Sequence, residues 1–481
     1  MEKDVASVNL LIRGDSLAAL ERLTGRKERV DTGLAPHESA KNQPTQNNHS
    51  DKPTQNNHSD KPTQNNHSDK PTQNNHSDQP TQASNAPDES TGAGATTSTA
   101  AAAGAAGAAG TIPLVKGQVK MIYIDPPYNT GNTFAYHDAR DKDAWAAMMQ
   151  PRLVLAREAL RDDGLVFISI DINEFAELKA LCDRVFGAEN FVANFVWVSN
   201  LKGRQLGNGP AGTHEYILCY AREARRVGKL RGRVSVLRRL MPAVYRLPKR
   251  QVKRDARGEY VTKNELYNTN SKFNEVTSPS LVYAIHYNQR TGEVAVSGVH
   301  EAPPGTPAEG WTTALPHPNA RPGLRWHAWR WSRERVLANP DDLEFEVVKE
   351  HLVIRTKIRD FETTTLKDLI MGPSTRTGQR ELERLGLGGI FETPKPVDLL
   401  AVLLEAASAP GDLVLDFFAG SGSFGVAAAD GLRRFILVQL PEPFSPLHEA
   451  RARDLGFDTI ADLTAERLRR CHVAFREIRL G

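Results

Sequence analysis

Residues 119–128, VKMIYIDPPY, join a short apolar run to an acid, two prolines and a tyrosine. The run VKMIYID (119–125) is typical of a buried strand, and the prolines end it because they cannot donate to a sheet ladder. Outward from it, apolar strands alternate with helix-like segments. The strands are VNLLI (8–12), LVFISID (165–171), DLVLDFF (412–418) and FILVQL (435–440), and the helices are 16–23, 143–161, 174–186 and 397–407. This alternation predicts an α/β fold with a doubly wound, mostly parallel sheet.

The alternation is interrupted twice. Residues 31–110 contain four copies of TQNNHSD at nine-residue spacing, followed by Ala-, Gly- and Thr-rich sequence. Because neither piece offers an apolar face, this composition predicts a disordered insertion. Residues 200–390 are rich in Arg, Pro and Gly and lack βα alternation, so they predict a separate inserted module. The α/β domain is therefore expected in two pieces, 1–30 with 111–199, and 391–481.

The composition excludes several classes of protein. Of the 481 residues, 40% are hydrophobic and 25% charged, as in soluble globular proteins. The first residues, MEKDVASVNL, lack the pattern of a signal peptide, and no apolar run reaches the roughly 20 residues that span a bilayer. Three distant cysteines without a CxxC spacing exclude a disulfide framework and a cysteine-based zinc site. We expect a cytoplasmic chain with no membrane contact and no metal.

Positive charge is concentrated in one block. Between residues 202 and 257, sixteen Lys and Arg residues face three acids, a local charge of +13. Such a block is either a solvated face or a surface that binds phosphates. Composition alone does not separate these interpretations.

Two strand ends carry the candidate chemistry. Asp125-Pro126-Pro127-Tyr128 places a carboxylate, a carbonyl without a competing N–H, and an aromatic ring at one sheet edge. A planar heterocycle with an exocyclic amino group needs such partners, although a capped strand-terminating turn is the structural alternative. The segment 416–422, DFFAGSG, follows another strand, and its glycines permit a tight turn close to a ligand, or simply a structural turn. No GxxxxGK[ST] nucleotide motif occurs in the sequence.

The order of these motifs resembles a known family. IDPPYNTG (124–131), the basic module, FETPKP (391–396) and LDFFAGSG (415–422) are similar to the β-group of amino-methylating DNA methyltransferases, and most similar to the modification subunits of type III restriction–modification systems. Segments between the motifs, among them HEYILCYAR (214–222) and PSTRTGQREL (373–382), extend the resemblance over most of the folded chain. The resemblance implies a methyltransferase fold with circularly permuted motif order and S-adenosylmethionine as cofactor.

The resemblance also implies roles for individual residues. The segment Asp125-Pro126-Pro127-Tyr128 is expected to be catalytic, with the flipped base held by Asp125 and Pro126 and stacked on Tyr128. Cofactor contacts are expected from seven residues: Asp15, Lys395, Asp416, Phe418, Gly420, Gly422 and Gln439. Two departures from the family pattern are Ser423 in place of Thr, and Asp430-Gly431, which predicts a short helix after the glycine turn.

The function implied is methylation of adenine N6 in double-stranded DNA, with 200–390 as the target-recognition module. A restriction (helicase/nuclease) subunit and a second copy of the chain are the partners implied. Cytosine-N4 methylation uses the same geometry, although SPPY is the usual motif for it. A methylase without a restriction partner and a non-catalytic specificity subunit are further alternatives.

Overall fold

The computed structural model describes residues 9–26, 111–130, 141–203, 209–246, 251–303, 310–349 and 351–480. The insertion predicted at 31–110 therefore lies outside the described residues. The strands are β1 (Leu10–Arg13), β2 (Val119–Ile124), β3 (Leu160–Ile170), β4 (Phe191–Trp197), β5 (Glu215–Ala221), β6 (Arg231–Arg233), β7 (Lys253–Asp255), β8 (Gly258–Glu265), β9 (Ala284–Asn288), β10 (Val294–Ser297), β11 (Trp311–Ala314), β12 (Leu343–Val348), β13 (His351–Ile358), β14 (Thr363–Thr365), β15 (Leu369–Ile370), β16 (Leu413–Asp416), β17 (Arg434–Gln439) and β18 (Arg476–Arg479). The helices are α1 (Ser16–Thr24), α2 (Lys142–Ala159), α3 (Phe175–Phe186), α4 (Val234–Leu237), α5 (Arg333–Ala338), α6 (Thr375–Arg384), α7 (Val397–Ala407), α8 (Ser423–Asp430), α9 (Pro446–Asp454) and α10 (Ile460–Arg470).

A nine-stranded sheet organises the fold, in the order β15-β4-β5-β3-β2-β16-β17-β1-β18. Its neighbouring strands pair in parallel except at β5, which runs antiparallel to both β3 and β4. The predicted mostly parallel sheet is thus confirmed. Strands β2 and β16 are distant in sequence but adjacent in the sheet, so the two pieces of the α/β domain meet along this pair.

Helices cover both faces of the sheet. The side chains of β2 alternate: Met121 and Tyr123 pack in one core with α7, α8 and α10, whereas Ile122 and Ile124 pack in the other with α1, α2 and α3. This period-two alternation, with apolar residues on both faces, is the pattern of a fully buried strand. The short helix predicted after the glycine turn is confirmed as α8, which has eight residues.

The module inserted between β5 and β15 has sheets and a core of its own. One sheet has the order β10-β9-β11 and another the order β12-β13-β8-β7. Between them lies a separate apolar cluster that includes Leu266, Tyr283, Ile285 and Ile354. The absence of βα alternation in this stretch of sequence therefore corresponds to an antiparallel β module.

The edges of this module differ from the predicted range of 200–390. Strand β5 lies inside that range but belongs to the nine-stranded sheet, where Ile217 to Ala221 are buried between β3 and β4. Strand β15 and helix α6 also lie within the range, and β15 completes one edge of the same sheet. The strong basic character of the surrounding sequence obscured β5, whose apolar side chains require burial on both faces.

The fold supplies acids to the basic block. Of its sixteen Lys and Arg residues, eight form ion pairs with carboxylates: Arg222, Arg225, Arg226, Arg231, Arg233, Arg239, Lys253 and Arg257. Five others are exposed and have no ion pair within the described residues. We call these five residues the unpaired basic set: Lys202, Lys229, Arg238, Arg246 and Arg254. Only part of the local charge is therefore available to a phosphate backbone.

The described segments that flank the predicted insertion contact each other. The backbone N–H of Val115, which precedes β2, donates to the carbonyl of Leu23 in α1 at 2.7 Å. Because α1 returns from the carboxyl end of β1, this contact lies at the amino edge of the sheet.

Within the described ranges, no helix is long and apolar enough to cross a membrane.

Candidate functional site

Asp125 follows the last residue of β2 and so lies at the carboxyl edge of the sheet. Its Oδ2 accepts a hydrogen bond from Nζ of Lys395 at 2.8 Å. Its Oδ1 is buried and has no hydrogen-bond partner in the described structure. An orphaned buried acceptor is costly, so this oxygen marks a position where a donor from a ligand would be stabilised.

Lys395 is 6% exposed and lies between two carboxylates, Asp125 and Glu215, with Glu215 Oε2 at 3.6 Å from Nζ. Burial lowers the pKa of Lys395, but the two carboxylates raise it by more than burial lowers it. The net pKa of Lys395 is therefore above its usual value. Burial raises the pKa of Asp125, and the Lys395 ammonium offsets part of that rise. The site thus holds a buried ammonium next to a carboxylate that is easier to protonate than usual.

Tyr128 is fixed by the same group of charges. Its hydroxyl donates to Oε2 of Glu215 at 3.0 Å, and Nζ of Lys395 lies 4.9 Å from its ring centroid. Burial and the nearby carboxylates of Asp125 and Glu215 raise the pKa of Tyr128 well above its usual range. The phenol therefore stays protonated and remains a hydrogen-bond donor.

Two further contacts hold the turn that carries these residues. Nε1 of Trp145 donates to the carbonyl of Pro127 at 2.7 Å, and Nδ2 of Asn129 donates to Oε1 of the buried Glu174 at 2.7 Å. Asn129 has a φ of +59°, in the left-handed region that asparagine tolerates better than most residues. The chain therefore turns sharply after Tyr128 and is anchored on α2 and near the start of α3.

The glycine turn follows β16, directly beside Asp125. Asp416 is buried and accepts from the N–H of Phe418 at 2.9 Å, while burial raises its pKa well above the usual value. Gly420 and Gly422 have φ values of +51° and +81°, and a Cβ on Gly420 would lie 3.2 Å from Cζ of Phe391. Oε1 of Gln439 accepts from the N–H of Gly420 at 2.7 Å, so its amide holds the turn in place.

Behind this turn lies a buried arginine that the sequence did not single out. Arg467 on α10 is 1% exposed, donates to the hydroxyls of Ser421 and Ser423 at 2.9 and 2.7 Å, and pairs with Glu381 at 3.0 Å. Glu381 in turn accepts from the backbone N–H of Val397. This network connects the glycine turn to the segment that carries Lys395. The sequence indicated this network only through the family-like segment 373–382, which contains Glu381.

These elements line an open cleft between the end of β2 and the glycine turn, with about 630 Å³ of empty space that includes open solvent. Seven predicted site residues line it: Asp125, Pro127, Lys395, Asp416, Phe418, Gly420 and Gln439. Its wall also includes aromatic residues, Tyr123, Phe391 and Phe424, of which Tyr123 stacks on Phe424 with ring centroids 5.5 Å apart. Apolar walls with a few converging polar groups are typical of small-molecule sites.

Other predicted residues lie outside the lining of this cleft. Gly422 supports the turn from behind, where a Cβ would meet Thr464 at 3.3 Å. Asp15 caps α1 by accepting from the N–H groups of Leu17 and Ala18, and it pairs with Arg152 at 2.7 Å. The capping and ion-pair contacts account for Asp15 structurally, so its cofactor contact stays a prediction.

Glu215, which neither composition nor motif reading selected, is part of the site. Among the described residues, no group of His, Cys, Asp and Glu could hold a metal ion.

Comparison with known proteins gives consistent matches. The sequence model of a DNA methylase family, N6_N4_Mtase, matches residues 119–445. The type II methyltransferase M.KpnI of Klebsiella pneumoniae is 30% identical over 367 residues, covering 73% of this chain and 81% of that protein. The EcoPI Mod subunit of Escherichia phage P1, from a type III restriction-modification enzyme, is 30% identical over 73% of this chain and 58% of its own length. The corresponding EcoP15I Mod subunit of Escherichia coli is 28% identical over 73% of this chain and 59% of its own length.

Proposed function

The chain belongs to the DNA methylase family, and on that basis we propose that it transfers the methyl group of S-adenosylmethionine to adenine N6 in duplex DNA. The observation that carries this proposal is the Oδ1 atom of Asp125, a buried acceptor without a partner at the rim of the cleft. An exocyclic amino group is the donor that fits it. The carboxylate at this position, where SPPY-type enzymes have a hydroxyl, favours adenine over cytosine.

The residues around the cleft fit S-adenosylmethionine. The left-handed glycines let the backbone at 420–422 approach a ligand closely, and a side chain on Gly420 would fill the space next to Phe391. Asp416, Lys395 and the amide of Gln439 are the polar groups that would hold the cofactor, and Phe418 supplies an apolar wall. When bound, the cofactor supplies the electrophilic methyl group of its sulfonium, which the amine accepts with loss of one proton.

The chain itself prepares the amine. The lone pair of an aromatic amino group is delocalised into its ring, so the nitrogen is a poor nucleophile. If Asp125 Oδ1 accepts one N–H and the carbonyl of Pro126 the other, the nitrogen becomes more tetrahedral and its lone pair more available. Tyr128 would stack on the base. Orientation of this kind can supply about 7–11 kcal/mol of the barrier reduction.

Asp125 is also the group best placed to take the surplus proton. Burial raises the pKa of its carboxyl, which brings it closer to the operating pH than an exposed aspartate. A general base works best when its pKa lies near that pH. The same carboxylate thus accepts the N–H before transfer and can bind the proton after it.

We further propose that the chain acts in a restriction–modification system, as the names of its Mod-subunit relatives suggest. The inserted β module is the proposed target-recognition region, because it extends from the sheet with a core of its own. Binding of a restriction subunit and formation of a homodimer remain predictions. Pull-down with a candidate restriction subunit and analytical ultracentrifugation would test them.

Single-molecule sequencing of DNA from cells that express the chain tests the proposed reaction. We expect N6-methyladenine at one recurring sequence, and none in cells that express Asp125→Ala. N4-methylcytosine at a recurring sequence would show that the base is assigned wrongly. Methylated adenine in the Asp125→Ala cells would show that the catalytic role is assigned wrongly.

A further inference from the structure

We propose that Glu215 is a positioning residue for methyl transfer: it holds Lys395 and Tyr128 so that one oxygen of Asp125 stays open to the amino group of the base. The inference rests on the proposed function, because it assigns Glu215 a role through Asp125 and Tyr128.

The direction of β5 places Glu215 at the site. In a parallel sheet the first residue of a strand lies at the amino edge, far from the chemistry. Strand β5 runs antiparallel to β3, so its first residue, Glu215, reaches the carboxyl edge and pairs there with Trp197 at the end of β4. The carboxyl group of Glu215 thus lies near residues from the turn that follows β2 and from the segment before α7.

The position of the Lys395 ammonium depends on two carboxylates. Nζ lies 2.8 Å from Oδ2 of Asp125 and 3.6 Å from Oε2 of Glu215. An ammonium has three donors and seeks carboxylate oxygens in several directions. If a substitution removed the charge of Glu215, the Lys395 ammonium would be attracted to Asp125 alone and could donate to both carboxylate oxygens of Asp125. Glu215 therefore keeps the ammonium on the Oδ2 side and leaves Oδ1 as the free acceptor.

Glu215 also holds the aromatic partner. Its Oε2 accepts the hydroxyl hydrogen of Tyr128 at 3.0 Å, and its side chain is only 11% exposed. A hydrogen bond to a charged acceptor at low exposure restrains the plane of the phenol ring. One carboxylate thus fixes both the charge beside Asp125 and the ring on which the base would stack.

A purely structural role for Glu215 predicts different results from a positioning role. Removal of a structural interaction would lower stability, or weaken binding of cofactor and DNA. Removal of a positioning interaction lowers kcat while the KM for DNA and the cofactor affinity stay nearly constant, because the effect is felt in the transition state.

The test compares Glu215→Gln with Glu223→Gln in the full-length chain. Glu223 lies just beyond the other end of β5 and pairs with Arg226 at 2.8 Å, away from the cleft. The readouts are kcat and the KM for DNA in steady-state methylation of the sequence identified in cells, cofactor affinity by calorimetry, and the melting temperature. For Glu215→Gln we expect kcat to fall about 10- to 100-fold, the range of one hydrogen bond to a charged group, with both affinities within about twofold. For Glu223→Gln we expect no change in any of these quantities.

A second variant keeps the test decisive if Glu215→Gln folds poorly. Tyr128→Phe removes only the hydroxyl that Glu215 accepts, and it should lower kcat with little change in cofactor affinity. A kcat within about twofold of the unsubstituted chain in Glu215→Gln would overturn the inference, and so would the same result in Tyr128→Phe if Glu215→Gln does not fold. So would a loss that appears only in KM or cofactor affinity. The proposed function fails separately, if the unsubstituted chain methylates no amino group or if Asp125→Ala remains active.

Discussion

Removal of the Lys395 charge should change the pH dependence of methyl transfer. Asp125 must be ionised to accept an N–H from the base, and Lys395 is the cation that favours the ionised form. Glu215 opposes it, because its negative charge raises the pKa of Asp125. In Lys395→Met the favourable charge is lost while a side chain of similar length remains. The Asp125 carboxyl should then stay protonated up to a higher pH.

The size of this shift follows from the geometry. Two unit charges about 4 Å apart interact by about 4 kcal/mol at an effective dielectric constant of about 20, which is an upper bound near three pKa units. The Asp125 side chain is 23% exposed, so solvent screens part of this interaction. We therefore expect the pKa of Asp125 to rise by about 1–3 units when the ammonium is removed.

The assay is the initial rate of labelled methyl transfer to DNA at saturating cofactor, measured from about pH 5 to about pH 9.5. In the unsubstituted chain the rate falls at low pH as Asp125 is protonated. In Lys395→Met this acidic limb should move up by about 1–3 units, and activity should recover at high pH. Cofactor affinity is measured by calorimetry at each pH, so that weaker binding is not mistaken for protonation.

Two variants serve as controls. Lys395→Arg keeps a charge beside Asp125, and its acidic limb should stay close to that of the unsubstituted chain. Lys179→Met removes the ion pair with Asp183 on α3, at 2.7 Å and away from the cleft, and should not move the limb. An acidic limb of Lys395→Met that stays within about 0.3 unit of the unsubstituted value would refute the reasoning. So would an activity loss that is equal at every pH.

Four further outcomes are expected. Gly420→Asp should abolish cofactor binding in calorimetry, because a Cβ there lies 3.2 Å from Phe391, whereas Gly456→Asp, at a similarly left-handed glycine in open space, should bind normally. Arg467→Met should lower the free energy of unfolding by about 3–5 kcal/mol in urea, since it removes the cationic partner of the half-buried Glu381 carboxylate and the donor to the hydroxyls of Ser421 and Ser423. A decrease below about 1 kcal/mol would contradict this. Replacing the unpaired basic set with glutamine should flatten the salt dependence of DNA binding by about one unit of slope for each phosphate that is no longer neutralised, and an unchanged slope would mark these residues as a solvated face. Deleting residues 42–82 should leave the methylation rate and the methylated sequence unchanged, because the segments that flank the insertion meet at the amino edge of the sheet, opposite the cleft. Loss of activity in a folded deletion variant would contradict this expectation.

The class of fold and most of the residues that line the cleft could be predicted from sequence patterns. Apolar strands that end in DPPY and in DFFAGSG require burial on both faces and a turn at their carboxyl ends, so local pattern was sufficient for β2 and β16. The glycines were informative because left-handed backbone at a tight turn is a local requirement. The resemblance of several segments in one order then implied the cofactor and the reaction.

The direction of β5 and the partners of the charged residues depend on contacts between distant parts of the chain, which sequence patterns do not report. Strand polarity depends on pairing with β3 and β4, which lie elsewhere in the chain, so Glu215 could not be placed beside Asp125 from sequence. For the same reason, the sequence did not predict the acids that pair with half of the basic block, or the Arg467–Glu381 pair behind the glycine turn. Charge interactions act through space between distant segments, whereas sequence patterns report only on near neighbours along the chain.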